Sequence, residues 1–283
     1  MTLRPTLALL REVVAQWQRD RALAQGAALA YYTLFSMAPL LVLVIALAGL
    51  ALGRSAAEGE LVDRIAGLVG PESARLLSGM IGQVGRPRSG VLATAASLLT
   101  MVFGATGVFA QLQASLNDIF RAPRPARTGV RGFVRQRLAA FAMILGVGAL
   151  LFVSLVLSAV VAAVRGFVTA HLPLLGRLLP LLDVALSLAV LTALFALVYK
   201  VLPDVRLRWR DVWLGAGVTG GLFTLGKSLI ALYLGRVVRT SVYGAAGSLV
   251  LLLLWIYYSS QILFLGAEFT EVYSRRYGSR RGS

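Results

Sequence analysis

No cysteine occurs in this sequence, and histidine occurs once. The first absence rules out disulfides and thiolate metal sites. The lone histidine, His171, stands beside Pro173 in a short loop, where an imidazole is ordinarily a surface group rather than a ligand. Charge is scarce as well. Asp, Glu, Lys and Arg make up 14 % of the 283 residues, against about 25 % in an ordinary soluble domain. No glycine-rich phosphate-binding loop is expected, so ATP is not an expected cofactor. No cofactor or metal of any other kind is implied, and nothing supports a water-soluble enzyme.

Apolar sequence fills the space that charge leaves. Hydrophobic residues reach 58 % and the mean hydropathy is +0.79. They gather into runs of about 18 residues or more with few charges, the pattern of bilayer-spanning helices. The sequence predicts an all-α, polytopic membrane protein of about six transmembrane helices, since each run is long enough for a core about 30 Å thick. The spans fall roughly at 29–51, 91–113, 139–163, 181–200, 212–234 and 244–268, in one membrane domain covering 1–283. Before them, residues 5–27 read as an N-terminal amphipathic helix, with Leu7, Leu10, Val14, Trp17 and Ala24 among Arg4, Arg11, Arg19 and Arg21. Such a helix lies in the membrane interface or simply leads into the first span. It is too long and too amphipathic for a signal peptide. Residues 52–90 read as two short periplasmic amphipathic helices broken at Gly70-Pro71. Pro39 sits in the middle of span one, where it removes a backbone hydrogen bond and predicts a kink.

The formal net charge of +16 invites a nucleic-acid reading, but the basic residues are distributed by loop. Eighteen of the 28 Lys and Arg fall in the N-terminus, loop 112–138, segment 200–211 and the C-terminal tail. The alternate loops hold nine, diluted by Glu58, Glu60, Asp63 and Glu72. Short basic loops stay cytoplasmic, so both termini are expected inside a bacterial inner membrane. Membrane lipids and a homo-oligomer are the partners compatible with this pattern; nucleic acid is not.

Several stretches carry a more specific signal. Ala27-Ala28-Leu29-Ala30-Tyr31-Tyr32-Thr33-Leu34-Phe35-Ser36 leads to Ala38-Pro39-Leu40, and Gly107-Val108-Phe109 leads to Leu116-Asn117. Trp209-Arg210-Asp211-Val212 precedes span five, Tyr243-Gly244-Ala245-Ala246-Gly247-Ser248 opens span six, and Leu254-Trp255-Ile256-Tyr257-Tyr258-Ser259-Ser260-Gln261-Ile262 runs on to Gly266-Ala267-Glu268. In this order and at these spans the chain resembles the YihY/BrkB family of bacterial inner-membrane proteins, once labelled ribonuclease BN. The resemblance implies an all-helical inner-membrane protein, with suggested roles in lipid or solute transport, envelope maintenance and serum resistance.

Polar residues inside the spans are the candidate substrate path. On span six, Tyr257, Gln261, Phe264 and Glu268 fall on one stripe at 100° per residue, with Ser248, Ser259 and Gly266 opposite. That stripe either lines a polar path or holds Gln261 against a neighbouring helix, with Glu268 marking the interface. Gln111, Gln113, Asn117 and Asp118 lie near the same membrane face, as do Gln25, Tyr31 and Tyr32, and together they would form a cytoplasmic vestibule. Arg121 is placed to neutralise Asp118 on the same helix. Lys227 is the basic residue well inside a span; it either meets an anionic headgroup, pairs with Asp183 or snorkels outward. Gly217 and Gly221 form a GxxxG that reads as a helix-packing face.

Two functions fit these features. One is a transporter or flippase-like handler of a lipid or amphipathic solute, with a cavity lined by Tyr31, Asn117, Lys227, Gln261 and Glu268. The other is a non-transporting membrane scaffold or regulator of envelope assembly, with the glycines of span five as its face. A nuclease lacks the clustered acids or histidines its chemistry needs.

Overall fold

The computed structural model describes residues 3–52, 59, 62, 78–79, 107–123, 146, 149–150, 153, 179–237 and 247–280. All regular structure among them is helical. In chain order the elements are α1 (Leu3–Arg19), α2 (Ala22–Leu52), the helical segment α3 (107–119), α4 (Leu179–Val201), α5 (Trp209–Val237) and α6 (Gly247–Arg276). Spans 91–113 and 139–163 lie largely outside the described residues, as do most of 52–90 and the acids Glu58, Glu60, Asp63 and Glu72.

The amphipathic stretch expected over 5–27 is two helices rather than one. α1 ends at Arg19, and Arg21 takes a left-handed conformation (φ 52°) that turns the chain into α2. Arg121 does the same after α3 (φ 53°), where the Ala122 amide reaches back to the Asn117 carbonyl. Such sites usually carry glycine, because a Cβ is crowded there. α2 runs unbroken through Pro39 for 31 residues.

α4, α5 and α6 pack in sequence, α2 lies against α6, and α1 crosses the end of α6. Val184–Val201 and Leu249–Arg276 are long and apolar enough to cross a membrane, and only 22 % and 33 % of these windows is buried in the protein. The exposed part of these windows lies mainly in the first half of α4 and at the start of α6, whereas from Trp255 to Arg276 every residue of α6 is buried or half-buried.

The core sits where α4, α5 and α6 meet. Tyr199, fully buried, donates to the Leu263 carbonyl (2.7 Å) and lies 3.0 Å from Thr219 Oγ1. Around it pack Phe195, Phe120, Phe223 and Trp255 in edge or stacked contacts. Glycines let the backbones close in. A Cβ on Gly215 would lie 1.7 Å from Thr270 Oγ1, and one on Gly266 1.9 Å from Thr219 Oγ1. Gly226 receives the Tyr258 hydroxyl in the same way. At the GxxxG of span five, among the described residues nothing lies within 4 Å of a Cβ on Gly217 or Gly221. The glycines of α5 that meet described neighbours are Gly215 and Gly226 against α6 and Gly220 against Thr192 of α4.

Candidate functional site

α1, α3, α6 and the α4–α5 connection converge at one end of the described structure. α1 buries Leu9 and Val13 against Val272, Leu265 and Phe269 of α6. The stripe read from the sequence, Leu7, Leu10 and Val14, is the exposed side of that helix and forms a shallow groove with Arg11, Ala15 and Gln18.

Ionic contacts seal the α1–α6 crossing. Glu12 pairs with Arg275 and with Arg276. α6 continues two turns past Glu268, and Glu271 lies on that extension, 2 % exposed, with Arg275 Nε at 3.4 Å and Arg121 Nε at 4.0 Å. The buried Gln16 amide satisfies its surroundings with nitrogen toward Glu271 (3.1 Å) and oxygen toward Arg275 (2.5 Å). Thus Arg121 faces Glu271, where the sequence had suggested Asp118, which is exposed.

Nearby, Asn117 and Asp204 exchange hydrogen bonds: Asn117 Nδ2 donates to Oδ2 (3.0 Å) and the Asp204 amide donates to Asn117 Oδ1 (2.7 Å). Gln113 also donates to Asp204 (3.4 Å), and Gln111 donates to Ser115 of its own helix (3.4 Å). The tail folds back as well. Ser279 donates from its amide and hydroxyl to Asp211 (2.9 and 2.6 Å), and Arg280 donates to the Phe120 carbonyl (2.9 Å).

The α6 stripe faces the start of α2. Gln261 donates to the Ala22 carbonyl (3.3 Å), and Gly26 opens the room for it, with Tyr257 alongside. Gln25 donates to the Asp20 carbonyl (3.0 Å). Glu268 is fully buried, and its charged neighbours are Asp20, Glu271 and Arg121. The Glu268 and Asp20 carboxyls lie within side-chain hydrogen-bonding reach of one another; no N–H or hydroxyl donor among the described residues meets either Glu268 oxygen, Asp20 Oδ2, Gln25 Oε1 or Gln261 Oε1, and the Trp17 indole nitrogen is likewise unmatched.

The structure therefore brings Tyr257, Gln261 and Glu268 together, with Gln16, Asp20, Gln25 and Glu271 added to them. It does not gather the wider set expected to line one cavity. Asn117 is engaged by Asp204, Tyr31 is 59 % exposed, and Lys227 is exposed on α5. The Asp183 side chain and that of Pro39 lie outside the described ones. Asp20 and Gln16 were missed because they lie on an amphipathic segment whose buried face was assigned to the wrong stripe. Gln16 follows Leu9 by seven residues, and that spacing carries the signal.

One further string needs placing. Gly221-Leu222-Phe223-Thr224-Leu225-Gly226-Lys227-Ser228 matches the letters G-x-x-x-x-G-K-S. All eight residues are helical within α5, and Tyr258 fills the space beside Gly226. A phosphate-binding loop needs free backbone amides at the start of a helix, and these lie in a helix interior.

Apolar helices of membrane length, with all described regular structure helical, fit an all-helical membrane protein. Within that class the chain belongs to the BrkB virulence factor family, whose family model (Virulence factor BrkB) matches residues 13–283. It is 34 % identical over 219 residues to a "UPF0761 membrane protein" of Verminephrobacter eiseniae (strain EF01-2), covering 75 % of this chain and 50 % of the relative. It is 27 % identical over 261 residues to one of Alkalilimnicola ehrlichii (92 % and 56 %) and 28 % identical over 266 residues to one of Aeromonas salmonicida (strain A449) (91 % and 86 %). The chain spans about half the length of the first two. No solved structure matches it.

Proposed function

We propose that this chain is a multi-pass protein of the bacterial inner membrane that moves a lipid or amphipathic solute, with no enzymatic step of its own. The observation that carries the reading is the Tyr257-Gln261-Glu268 stripe. It puts an amide and a fully buried carboxyl on an apolar helix of membrane length, facing the first turns of α2. Ionisable groups at membrane depth are expensive and are retained at pathways for polar cargo. The convergence of α1, the end of α3, segment 200–211 and the tail at one end supports a single cytoplasmic face. These are the four segments that carry the excess of Lys and Arg.

A scaffold role finds support in the open Gly217/Gly221 side of α5, beside exposed Leu214, Val218, Leu222 and Leu225. Reconstitution separates the two. In vesicles containing labelled anionic lipid, transbilayer movement by the wild type that is lost in Glu268→Gln establishes transport through the α2–α6 seam. Absence of movement in every lipid mixture, with the protein folded, rejects transport and leaves the scaffold.

A further inference from the structure

α1 divides its surface three ways. At 100° per residue, Leu9, Val13 and Gln16 share an arc of about 60°, the side buried against α6. Leu7, Leu10 and Val14 share a second arc of about 60°, centred about 120° further round, and are 54 %, 52 % and 48 % exposed. Arg11, Ala15, Gln18 and Arg19 fall on the third side, all exposed, with Arg19 Nε donating to the Ala15 carbonyl (3.3 Å). Glu12 is the one acid of this helix, and Arg275 and Arg276 hold it at the crossing with α6. What faces away from α6 is therefore an apolar strip with a cationic strip beside it and no acid on either. A helix between a protein core and water needs two sides, one apolar and one polar. A second apolar side, set apart from the buried one, calls for a second apolar medium.

We propose that the outer side of α1 is a docking surface for the anionic leaflet of the bilayer beside it. Leu7, Leu10 and Val14 sit in the boundary between acyl chains and headgroups, and Arg11 and Arg19 meet lipid phosphates. Exposed apolar residues scattered singly are ordinary, but three adjoining ones rimmed by arginine form the pattern of an interfacial helix. They line a shallow groove with Arg11 and Gln18, so an acyl chain lies along the strip while its phosphate reaches the guanidinium. The level suits this. α1 crosses α6 at Val272, where a helix of membrane length ends in Arg275 and Arg276, and arginines at the end of a span reach for the headgroup layer. Charge selects the occupant. Residues 124–138, on the same side in the proposed topology, hold five arginines and no acid, so Arg11 and Arg19 repel them. The acids of 52–90 lie across the membrane in that topology. A second copy meeting this side through a twofold axis sets the same arginines against each other. An anionic lipid surface attracts them.

The surface shares a membrane topology with the proposed function but needs no transport. Because the chain has no cysteine, one fluorophore can be placed at Val14→Cys on the apolar strip, or at Ala8→Cys, which is exposed on the cationic side. Each full-length variant is labelled in detergent and reconstituted into vesicles of phosphatidylcholine and phosphatidylglycerol. A nitroxide near the headgroup end of the acyl chain is carried on one lipid or the other at equal mole fraction. The Val14 fluorophore should emit from an apolar environment. Labelled phosphatidylglycerol should quench it more strongly than labelled phosphatidylcholine, by up to about fivefold, the enrichment that one arginine near an anionic surface supports. Arg11→Gln should cut that preference by about half or more, and so should salt at about 1 M. The Ala8 fluorophore should be quenched weakly by both lipids. Equal quenching of Val14 by the two lipids overturns the proposal, as does quenching of Ala8 as strong as that of Val14. So does an unquenched Val14 fluorophore, whether its emission reports water or a covering of protein by 124–138 or a second copy. Quenching as expected in vesicles that move no lipid would sink the transport reading and leave the surface standing; lipid movement without quenching would do the reverse.

Discussion

Asn117 and Asp204 read one another in both directions: the asparagine amide donates to the carboxylate and accepts from the aspartate backbone. The pair clamps the end of α3 to the connection between α4 and α5. Asn117→Ala removes both bonds from a partly exposed site and should cost about 1 kcal/mol, since each hydrogen bond there nets about 0.5–1.5 kcal/mol and water repays part of it. Thermal unfolding in detergent measures this. An unchanged melting temperature would show that the α4–α5 connection does not need α3.

Arg21 occupies left-handed backbone (φ 52°) with an exposed side chain. Arg21→Gly should therefore stabilise the fold by about 0.5–1 kcal/mol, the strain released less the added freedom of the unfolded chain. Arg121→Gly starts from the same backbone but removes a guanidinium from Glu271, so it should not stabilise. A melting temperature that falls for Arg21→Gly would contradict the strain argument.

Gly266 and Gly217 should respond in opposite directions to the same substitution. Gly266→Ala drives a methyl into Thr219 and should cost about 1–3 kcal/mol, with part recovered when Thr219→Ala is added. Gly217→Ala meets nothing described within 4 Å and should be neutral or stabilising by up to about 1 kcal/mol, from helix propensity alone. A large loss at Gly217 would instead reveal an oligomer face.

Because the chain has no cysteine, single cysteines can report on accessibility without background. Leu10→Cys should react quickly with a maleimide and Leu9→Cys slowly, although they are neighbours in sequence. On the proposed topology Arg19→Cys, Asp118→Cys, Arg206→Cys and Tyr277→Cys should all resist an impermeant reagent in intact cells and react once the membrane is opened. Any one of them labelled from outside would break the single-face arrangement.

Much of this architecture is legible in the sequence because bilayer helices must satisfy their own backbone, so hydropathy alone locates α2, α4, α5 and α6. Helical phase is legible too, which is how Tyr257, Gln261 and Glu268 emerge on one face. Partner choice is not. Whether Arg121 serves Asp118 or Glu271 depends on the crossing of α3 and α6, and nothing local encodes that. Likewise, α1 carries two apolar stripes, and only contact with Val272 and Phe269 decides that Leu9 and Val13 are the buried one. Gly217 and Gly221 matched a familiar spacing, whereas the pairs packed across the α5–α6 seam are Gly215 with Thr270 and Gly266 with Thr219.

Those pairs mirror each other. Thr219 and Thr270 each donate to the carbonyl four residues back, Gly215 and Gly266, so each hydroxyl is spent at home (2.7 Å in both) while its bulk fills the other helix's notch. The seam behaves as a lock with two identical keys facing opposite ways. Sliding α5 along α6 by one four-residue repeat, about 6 Å, sets glycine against glycine in one direction and threonine against threonine in the other, and intermediate offsets seat neither. That register tolerates no gradual slip, so at this seam α5 and α6 are held in step as a pair.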